Sequence, residues 1–349
     1  MNPIIEIEAE RCELPALQRS DYPNPDAPAE SGYPRADPFL TITPDGTLYA
    51  AYQHPSVPVI HVSDDGGRSW DRVQIDRPPP GGPHGGLIAF GAVADATLVL
   101  LYSDAVPKYV KGVREEVDFA NHFARSEDGG ATWDRLHTAD AGGPDHRIHG
   151  LGNISMLRDG TVIVTATVVR PPLPPEGLNL ADHIWRSNDG GRTFSLGAPI
   201  GDHTAETHIL PLPSGRLLAA IRTVYADYEH PRNKRSAIAV SDDQGNTWSE
   251  PRLITQDIGD CPGEFVLLPD GRLVFLYCHR YPPSPGIYAR VSEDEGETWS
   301  AGRFAVRVLR DDQCGVYPAS VLLHDGVILT ISGSHVGVPL QAIRWRVPG

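Results

Sequence analysis

The sequence predicts an all-β fold, a six-bladed β-propeller, and two sets of repeats carry that prediction. One turn motif of nine residues occurs five times in the 349-residue chain. Six strand–turn–strand units lie between and around these motifs. The motif serines are Ser63, Ser126, Ser187, Ser241 and Ser292, at steps of 63, 61, 54 and 51 residues. Each step is long enough for one four-stranded blade with its loops.

The composition agrees with this fold. Hydrophobic residues make up 40% of the chain and charged residues 21%, as in folded globular proteins. The 35 glycines and 33 prolines recur at intervals instead of clustering. Such a distribution indicates many short strands joined by tight turns. We expect almost no helix, and a single domain over residues 1–349.

The turn motifs share the pattern Ser-x-Asp-x-Gly-x-(Ser/Thr)-(Trp/Phe). They read VSDDGGRSW (62–70), RSEDGGATW (125–133), RSNDGGRTF (186–194), VSDDQGNTW (240–248) and VSEDEGETW (291–299). The Asp can accept hydrogen bonds from amides two or three residues further on, and the Gly supplies a positive φ. The aromatic ring can fold back as an apolar plug. We therefore interpret these carboxylates as groups that stabilise turns, not as catalytic groups.

The second set of repeats predicts the inner hairpins of six blades. These units read PFLTITPDGTLYAAYQ, GLIAFGAVADATLVLLYS, GNISMLRDGTVIVTATVV, HILPLPSGRLLAAIRTV, EFVLLPDGRLVFLYCHR and ASVLLHDGVILTISGSH. Each has alternating apolar residues on both sides of a tight turn. The sixth blade lacks a turn motif. We expect the amino-terminal strand IIEIEAERC (4–12) to complete it and close the ring.

The charge of the chain argues against two classes of partner. The formal net charge is −15, and the only lysines are Lys108, Lys111 and Lys234. A net-negative chain without a basic run is a poor candidate for binding nucleic acid or anionic membranes. No apolar run approaches the ~20 residues of a membrane helix. Local arginine pockets remain compatible with this composition, and the sequence does not indicate an oligomeric state.

The cysteines and the amino terminus are informative about the cellular compartment of the protein. Cys12, Cys261, Cys278 and Cys314 form no CxxC pair, so neither a zinc site nor a dense disulfide framework is expected. The amino terminus lacks a basic start followed by an apolar stretch. We expect a cytoplasmic protein, or a periplasmic or secreted one if a signal was removed.

The turn motif is the Asp box of sialidases, and the chain resembles a bacterial-type exo-sialidase over essentially its whole length. The resemblance implies the sialidase superfold and a characteristic site. In that family three arginines hold the substrate carboxylate, a tyrosine attacks the anomeric carbon, a glutamate activates the tyrosine, and an aspartate handles the leaving-group proton. No metal or organic cofactor takes part. Asp boxes also occur in propellers with other activities, so the site residues must decide the function.

Two blades match the catalytic pair of the family. In AETHILPLPSGRLLAAIRT, Glu206 stands ten residues before Arg216 and Arg222 ends the second strand, the offsets of the base glutamate and of the second carboxylate-binding arginine. In CGVYPASVLLHDG, Tyr317 stands nine residues before Gly326, the offset of the nucleophilic tyrosine. A phenol with an ordinary pKa near 10 needs such a partner base near neutral pH.

The other two arginines follow from the same resemblance. Arg35 in YPRADPFLTITPDG corresponds to the amino-terminal arginine motif, although Ala-Asp-Pro follows it. For the third arginine, YCHRYPPSPGIYARVSEDEG offers Arg280 and Arg290. We favour Arg280, because it ends an inner strand near the propeller axis.

The acid of the family has no counterpart at its expected place. That loop, QHPSVPVIH (53–61), contains neither Asp nor Glu. The candidates for proton transfer to the leaving group are therefore Asp37 beside Arg35, His54 within the loop, and Asp118 or His122 before the second Asp box. This departure from the family pattern leaves the reaction type open.

Other catalytic motifs are absent from the sequence. The 14 histidines include His84, His146, His149 and His208 near expected strand starts or turns, where hydrogen bonding suits them better than metal ligation. There is no Gly-rich phosphate loop, Ser-centred nucleophile elbow or HExxH motif.

Three hypotheses follow. The first is an exo-glycosidase that releases a terminal sialic acid or related 2-keto acid sugar from a glycoconjugate, retaining configuration through a tyrosyl intermediate. The second is a propeller enzyme acting on another acidic sugar, such as a uronate, by inverting hydrolysis or elimination. The third is a non-catalytic glycan-binding propeller.

Overall fold

A computed structural model describes most of the chain. The described residues are 3–15, 37–52, 58–79, 86–103, 108–110, 113–115, 120–143, 145–148, 150–171, 179–224, 234–255, 260–310, 315–334 and 340–348. Over these ranges the secondary structure consists of strands and turns, without a helix. Accordingly, no described helix has the length and apolar character needed to cross a membrane.

The first three blades follow one another along the chain. Blade 1 contains β3 (Pro38–Ile42), β4 (Leu48–Tyr52), β5 (Val59–Ser63) and β6 (Asp71–Arg72). Blade 2 contains β7 (Gly86–Ala94), β8 (Thr97–Ser103), β11 (Asn121–Ser126) and β12 (Asp134–Thr138), with a separate hairpin of β9 (Lys108–Val110) and β10 (Val113–Glu115). Blade 3 contains β13 (Arg147–Ile148), β14 (Ile154–Met156), β15 (Val162–Arg170), β16 (Asn179–Ser187) and β17 (Ser195–Asp202).

The remaining blades repeat this antiparallel order. Blade 4 contains β18 (Thr204–Pro211), β19 (Leu217–Thr223), β20 (Ser236–Ser241) and β21 (Arg252–Leu253). Blade 5 contains β22 (Asp260–Leu267), β23 (Leu273–His279), β24 (Gly286–Ser292) and β25 (Arg303–Val308). Blade 6 contains β26 (Gly315–Leu322), β27 (Ile328–Ser334), β28 (Gln341–Trp345) and the amino-terminal β2 (Ala9–Glu13).

The inner strands form a closed ring. Each inner strand, in the order β3, β7, β14, β18, β22 and β26, contacts the next, and β26 contacts β3 again. Each pair of neighbouring blades encloses an apolar cluster, for example Phe39, Ile60 and Trp133 between blades 1 and 2. The prediction of a six-bladed β-propeller is therefore confirmed.

The amino-terminal segment serves two blades. Ala9–Glu13 pairs antiparallel with Gln341–Trp345 and becomes the outer strand of blade 6. Before it, β1 (Ile4–Glu6) pairs parallel with β25 and adds a fifth strand to blade 5. The single strand expected over residues 4–12 is thus divided, because residues 7–8 pair with neither blade.

The Asp boxes stabilise turns in the way that their residue types suggest. In the fourth box, Asp243 Oδ1 accepts hydrogen bonds from Ser241 Oγ and Thr247 N, each at 2.8 Å, and Asp243 Oδ2 accepts one from Thr247 Oγ1 at 2.6 Å. The other four boxes repeat the Ser–Asp and hydroxyl–Asp bonds. The box glycine Gly67 has φ of +82°, and an added Cβ would lie 2.7 Å from Leu329. Glycine there permits both the turn and the packing on the neighbouring blade.

Candidate active site at one end of the propeller axis

The inner hairpins bring four of the predicted site residues to the same end of the axis. Glu206 is the third residue of β18 and Tyr317 the third of β26, while Asp37 directly precedes β3. Arg222 pairs with Ala205 in the β18–β19 register, so it lies at the same end. A fifth residue, Arg280, follows β23, whose final His279 pairs with the first residue of β22.

Bulges aim the two central side chains at the axis. The pairing of β18 with β19 shifts register between Ala205 and His208, and that of β26 with β27 shifts between Gly315 and Pro318. Glu206 and Tyr317 lie within these two bulges. A bulge turns a side chain out of the regular alternation of a strand. The local backbone therefore explains why both side chains leave the blade and meet over the axis.

Glu206 connects Tyr317 to Arg222. The Tyr317 hydroxyl donates a hydrogen bond to Glu206 Oε1 at 2.5 Å, and Arg222 Nη1 lies 2.5 Å from Glu206 Oε2. Tyr317 is 6% exposed, and the Glu206 and Arg222 side chains are 9% and 12% exposed. The three groups thus form a largely desolvated cluster, in which the hydrogen bond to the carboxylate and the ion pair are both strengthened by the exclusion of water.

The charged groups around Tyr317 shift the pKa of its phenol in opposite directions. Burial raises the pKa of Tyr317 above its ordinary value, and the negative charges of Glu206 and Asp37 raise it further, while Arg222 and Arg280 act in the opposite sense. The Arg280 guanidinium lies over the Tyr317 ring, 5.5 Å from its centroid. At rest the tyrosine is therefore a neutral phenol that donates to a carboxylate.

Asp37 belongs to the same cluster. Its side chain is buried, with 2% exposure, and its charge acts on Tyr317. Asp37, Glu206 and Tyr317 each stand nine residues before the turn glycine of their own hairpin. Those glycines are Gly46, Gly215 and Gly326. This shared offset is a sequence signal that places Asp37 level with Glu206 and Tyr317.

Other predicted residues lie elsewhere. Arg35, His54 and Asp118 fall outside the described residues, as do His84 and His149. His122 is on β11, the third strand of blade 2, where it faces Tyr102 at 5.8 Å between ring centroids. That position is remote from the inner strands and does not favour His122 as the acid.

Arg290 and Arg280, the two candidates for the third arginine, have different surroundings. The Arg290 guanidinium donates to the carbonyl oxygens of Ser300 and Ala301 at 2.7 and 3.2 Å, next to the fifth Asp box. Arg290 thus supports a turn, whereas Arg280 borders Tyr317. The Nδ1 of His146 lies 2.9 Å from the carbonyl oxygen of Ala141, a local hydrogen bond.

A cavity of about 100 Å³ continues from the site along the axis. Residues of all six inner strands or the segments beside them line it, including Phe39, Phe90, Asn153, Glu206, Glu264 and Tyr317. Burial raises the pKa of Glu264 to about 7 and lowers that of His208 to about 4. Among the described residues, no group of three or more His, Cys, Asp and Glu side chains is placed to hold a metal ion.

Two carboxyl residues, Glu264 and Asp182, were not predicted from the sequence. Glu264 is followed by four apolar residues in EFVLL, and Asp182 follows Leu180 and Ala181 in NLADHIW. Both carboxyls are buried. A charged residue at such a position is a usable signal, because an unpaired buried carboxylate is costly.

Comparison with known proteins agrees with the fold. The sequence model of the BNR repeat-like domain family matches residues 77–331. A sialidase from Micromonospora viridifaciens is 27% identical over 305 residues, which cover 76% of this chain. The chain spans 45% of the length of that relative.

Solved structures also resemble this chain. A Dyadobacter fermentans protein of unknown function has a TM-score of 0.70 and 18% identity, over 97% of this chain and 98% of its own. The Hadza microbial sialidase Hz136 has a TM-score of 0.64 and 19% identity, over 88% and 65%. An α-L-arabinofuranosidase from Fusarium graminearum has a TM-score of 0.64 and 12% identity, over 97% of both chains. At these identities the likeness concerns the fold alone.

Proposed function

The chain belongs to the BNR repeat-like domain family, and we propose that it is a sialidase-type exo-glycoside hydrolase. Its substrate would be a glycoconjugate ending in sialic acid or a related 2-keto acid sugar. The observation that carries this proposal is the 2.5 Å hydrogen bond between the Tyr317 hydroxyl and Glu206 Oε1, with Arg222 and Arg280 beside it. Similarity to the Micromonospora sialidase supports the same class.

A tyrosine nucleophile suits a substrate that carries its own carboxylate at the anomeric carbon. A carboxylate nucleophile would be repelled by that group, whereas a neutral phenol approaches without charge repulsion. Glu206 then takes the phenolic proton as the Tyr317 oxygen bonds to the anomeric carbon and the bond to the leaving group breaks. This chemistry is one of the exceptions to two-carboxylate glycoside hydrolysis.

The second half-reaction restores the site. Water attacks the anomeric carbon and gives a proton to the group that protonated the leaving group, the bond to the Tyr317 oxygen breaks, and Glu206 returns its proton to that oxygen. Configuration is retained, because two displacements occur at the same carbon. The positive charges of Arg222 and Arg280 stabilise the developing phenolate in both steps.

The arginines would also bind the substrate carboxylate, with Arg35 as the third member of the set. Guanidinium groups suit this task, since their fixed donor geometry matches a carboxylate. Arg222 is held through Glu206 Oε2 and is therefore preorganised before substrate arrives.

The leaving group needs a proton donor, and Asp37 and His54 are the two candidates. Asp37 is supported by its burial and by the effect of its charge on Tyr317. As a general acid, Asp37 would donate its proton to the oxygen of the leaving group. His54 remains a prediction from the sequence.

One observation favours a second candidate function. Residues 53–61 lack the carboxylate that sialidases use for the leaving-group proton. Under this alternative the enzyme would act on another acidic sugar, such as a uronate, by inverting hydrolysis or elimination, with Tyr317 as acid or base. A non-catalytic glycan-binding propeller is the third possibility, and the paired Glu206 and Tyr317 argue against it.

The test is fluorophore release from 4-methylumbelliferyl α-glycosides of N-acetylneuraminic acid and of its deaminated analogue. Tyr317→Phe should abolish turnover, since the phenyl ring keeps the packing but lacks the attacking oxygen. Tyr102→Phe, a fully buried tyrosine change in blade 2, is the matched control and should keep wild-type turnover. Absence of turnover by folded wild-type protein, with turnover of a uronide, would establish the alternative.

A further inference from the structure

The backbone of Glu206 adopts a conformation that residues other than glycine rarely occupy. Its φ is +54°, in the left-handed region. Glu206 and Thr207 lie in the bulge of β18, between the register positions of Ala205 and His208. A strained conformation of this kind persists where the surrounding structure holds it in place.

Side chains of the neighbouring blade bind the amides of this bulge. Glu206 N donates to Thr167 Oγ1 at 2.9 Å, and Thr207 N donates to Asp182 Oδ2 at 3.1 Å. The Thr207 hydroxyl also donates to Asp182 Oδ2. Thr167 and Asp182 stand directly opposite each other in the β15–β16 pair. One cross-strand pair of blade 3 therefore supplies acceptors for both bulge amides.

Asp182 is held in place by hydrogen bonds and is shielded from solvent. Its own amide donates to Thr204 Oγ1 at 2.8 Å, at the start of β18. Its side chain is fully buried, at 0% exposure. Burial raises its pKa to about 6, and the charge of Glu206 contributes to the rise. Two hydrogen bonds from Thr207 to Asp182 Oδ2 offset part of the cost of burying this acid.

Packing between blades 3 and 4 does not require a carboxylate at position 182. The residues two positions away on the same face of β16, Leu180 and Ile184, pack in apolar clusters. An aliphatic residue at position 182 would extend those clusters. The acceptors for the Thr207 amide and hydroxyl would then be lost, and with them the support of the bulge.

We propose that Asp182 is a positioning residue for Glu206: with Thr167 it holds the bulge that aims the Glu206 carboxylate at the Tyr317 hydroxyl. The expected loss of activity rests on the proposed function, whereas the expected displacement of the Glu206 carboxylate does not. Loss of the carboxylate relaxes the bulge and lengthens the Glu206–Tyr317 contact. Substrate binding through the arginines changes less.

The test combines kinetics with a crystal structure. Asp182→Leu keeps the branched shape of the side chain but removes its acceptor oxygens, and it should lower kcat on the order of 10–100-fold while KM changes less than about threefold. In a Glu206→Gln background the same change should leave the residual kcat/KM within about twofold, because the group being positioned is already disabled. Crystals of Asp182→Leu should show Glu206 displaced from Tyr317.

Control variants separate positioning from plain stability. Ser187→Ala removes another buried polar group from β16, within the third Asp box, and should lower Tm without changing kcat in either background. Thr167→Val removes the acceptor of the Glu206 amide, and it takes the place of Asp182→Leu if that variant fails to fold. It should reproduce the loss of kcat.

Two results would overturn the proposal. One is an equal loss of activity from Asp182→Leu with Glu206 and with Gln at position 206. The other is an Asp182→Leu crystal structure that keeps the left-handed Glu206 and the 2.5 Å contact. If wild-type protein turned over no glycoside, the proposed function alone would fail, and the crystal structure would still decide the role of Asp182.

Discussion

The carboxyl groups of the turns and the buried carboxyls of Asp182 and Glu264 experience opposite environments. In the turns, Asp243 is exposed, and hydrogen bonds from Thr247 and Ser241 lower its pKa to about 2. Burial raises the pKa of Asp182, on the third strand of blade 3, to about 6 and that of Glu264, on the inner strand of blade 5, to about 7. The same functional group is therefore held ionised in the turns and pushed toward neutrality at these two buried positions.

This contrast separates structural from chemical candidates. A carboxylate that repeats in every turn motif satisfies the amides of its own turn. A carboxyl that occurs once, in an inner or middle strand, has partners in other blades. Substitutions of buried carboxyls should therefore change activity or the pH dependence of stability. Substitutions of turn carboxyls should lower stability and leave activity unchanged.

The largest difference is expected for Glu206→Gln. The amide keeps the size of the side chain but cannot take the Tyr317 proton, so kcat/KM should fall by about 10²–10⁴-fold. Asp243→Asn, the same change in a turn, should leave kcat/KM at the wild-type value. Both are measured with the 4-methylumbelliferyl sialosides. A Glu206→Gln enzyme within about tenfold of wild type would remove Glu206 as the base.

Glu264→Gln should change how stability depends on pH. The folded-state pKa of about 7 lies above the unfolded value near 4.3, so the folded state binds the additional proton and loses stability as pH rises between them. The amide does not titrate, and its stability relative to wild type should rise by up to about 3 kcal/mol between pH 4 and pH 8. Urea unfolding at several pH values measures this. A parallel pH dependence of the two proteins would contradict it.

Arg222→Lys should weaken substrate capture. Lysine keeps the charge but lacks the planar donor pair that matches a carboxylate, and we expect KM to rise on the order of 10-fold. Arg290→Lys is the matched control, since Arg290 binds the carbonyl oxygens of Ser300 and Ala301. It should lower Tm and leave KM unchanged. An unchanged KM in Arg222→Lys would exclude Arg222 from carboxylate binding.

The smallest effect is expected in the turns, where Asp243→Asn should lower Tm by a few degrees through weaker hydrogen bonds to Thr247. The lowered pKa of Asp243 makes its contribution pH-dependent. That contribution is fully present above the unfolded pKa near 3.9 and is lost as pH falls through about 2. Calorimetry at pH 7 and at pH 2 should therefore show the two Tm values converging in acid.

The fold could be predicted because its information is local and repeated. Each Asp box contains the donors and acceptors of its own turn, and each inner hairpin has its turn residues between apolar runs. The division of the amino-terminal segment between two blades was not predictable in this way. The parallel pairing of Ile4–Glu6 with Arg303–Ala305 joins residues about 300 positions apart, and no turn motif marks it.

The site was predictable only where it depends on position along a hairpin. The offsets of Glu206 and Tyr317 from their turns led to a pair that lies in hydrogen-bond contact. Asp182 and Glu264 were not identified, because their environment is set by residues of other blades. Arg35 and His54 remain predictions from the sequence.

The strand Ala9–Glu13 also governs the order in which the protein can be completed during synthesis. It is made about 330 residues before its partner Gln341–Trp345. Blades 1, 2, 3 and 4 can each form from contiguous chain, while the strand Ala9–Glu13 keeps an unpaired edge until its partner has been made. Completion of blade 6 is thus a late step, because it joins segments that are far apart in the sequence. Until then, the unpaired edge of Ala9–Glu13 is a place where the nascent chain can pair wrongly.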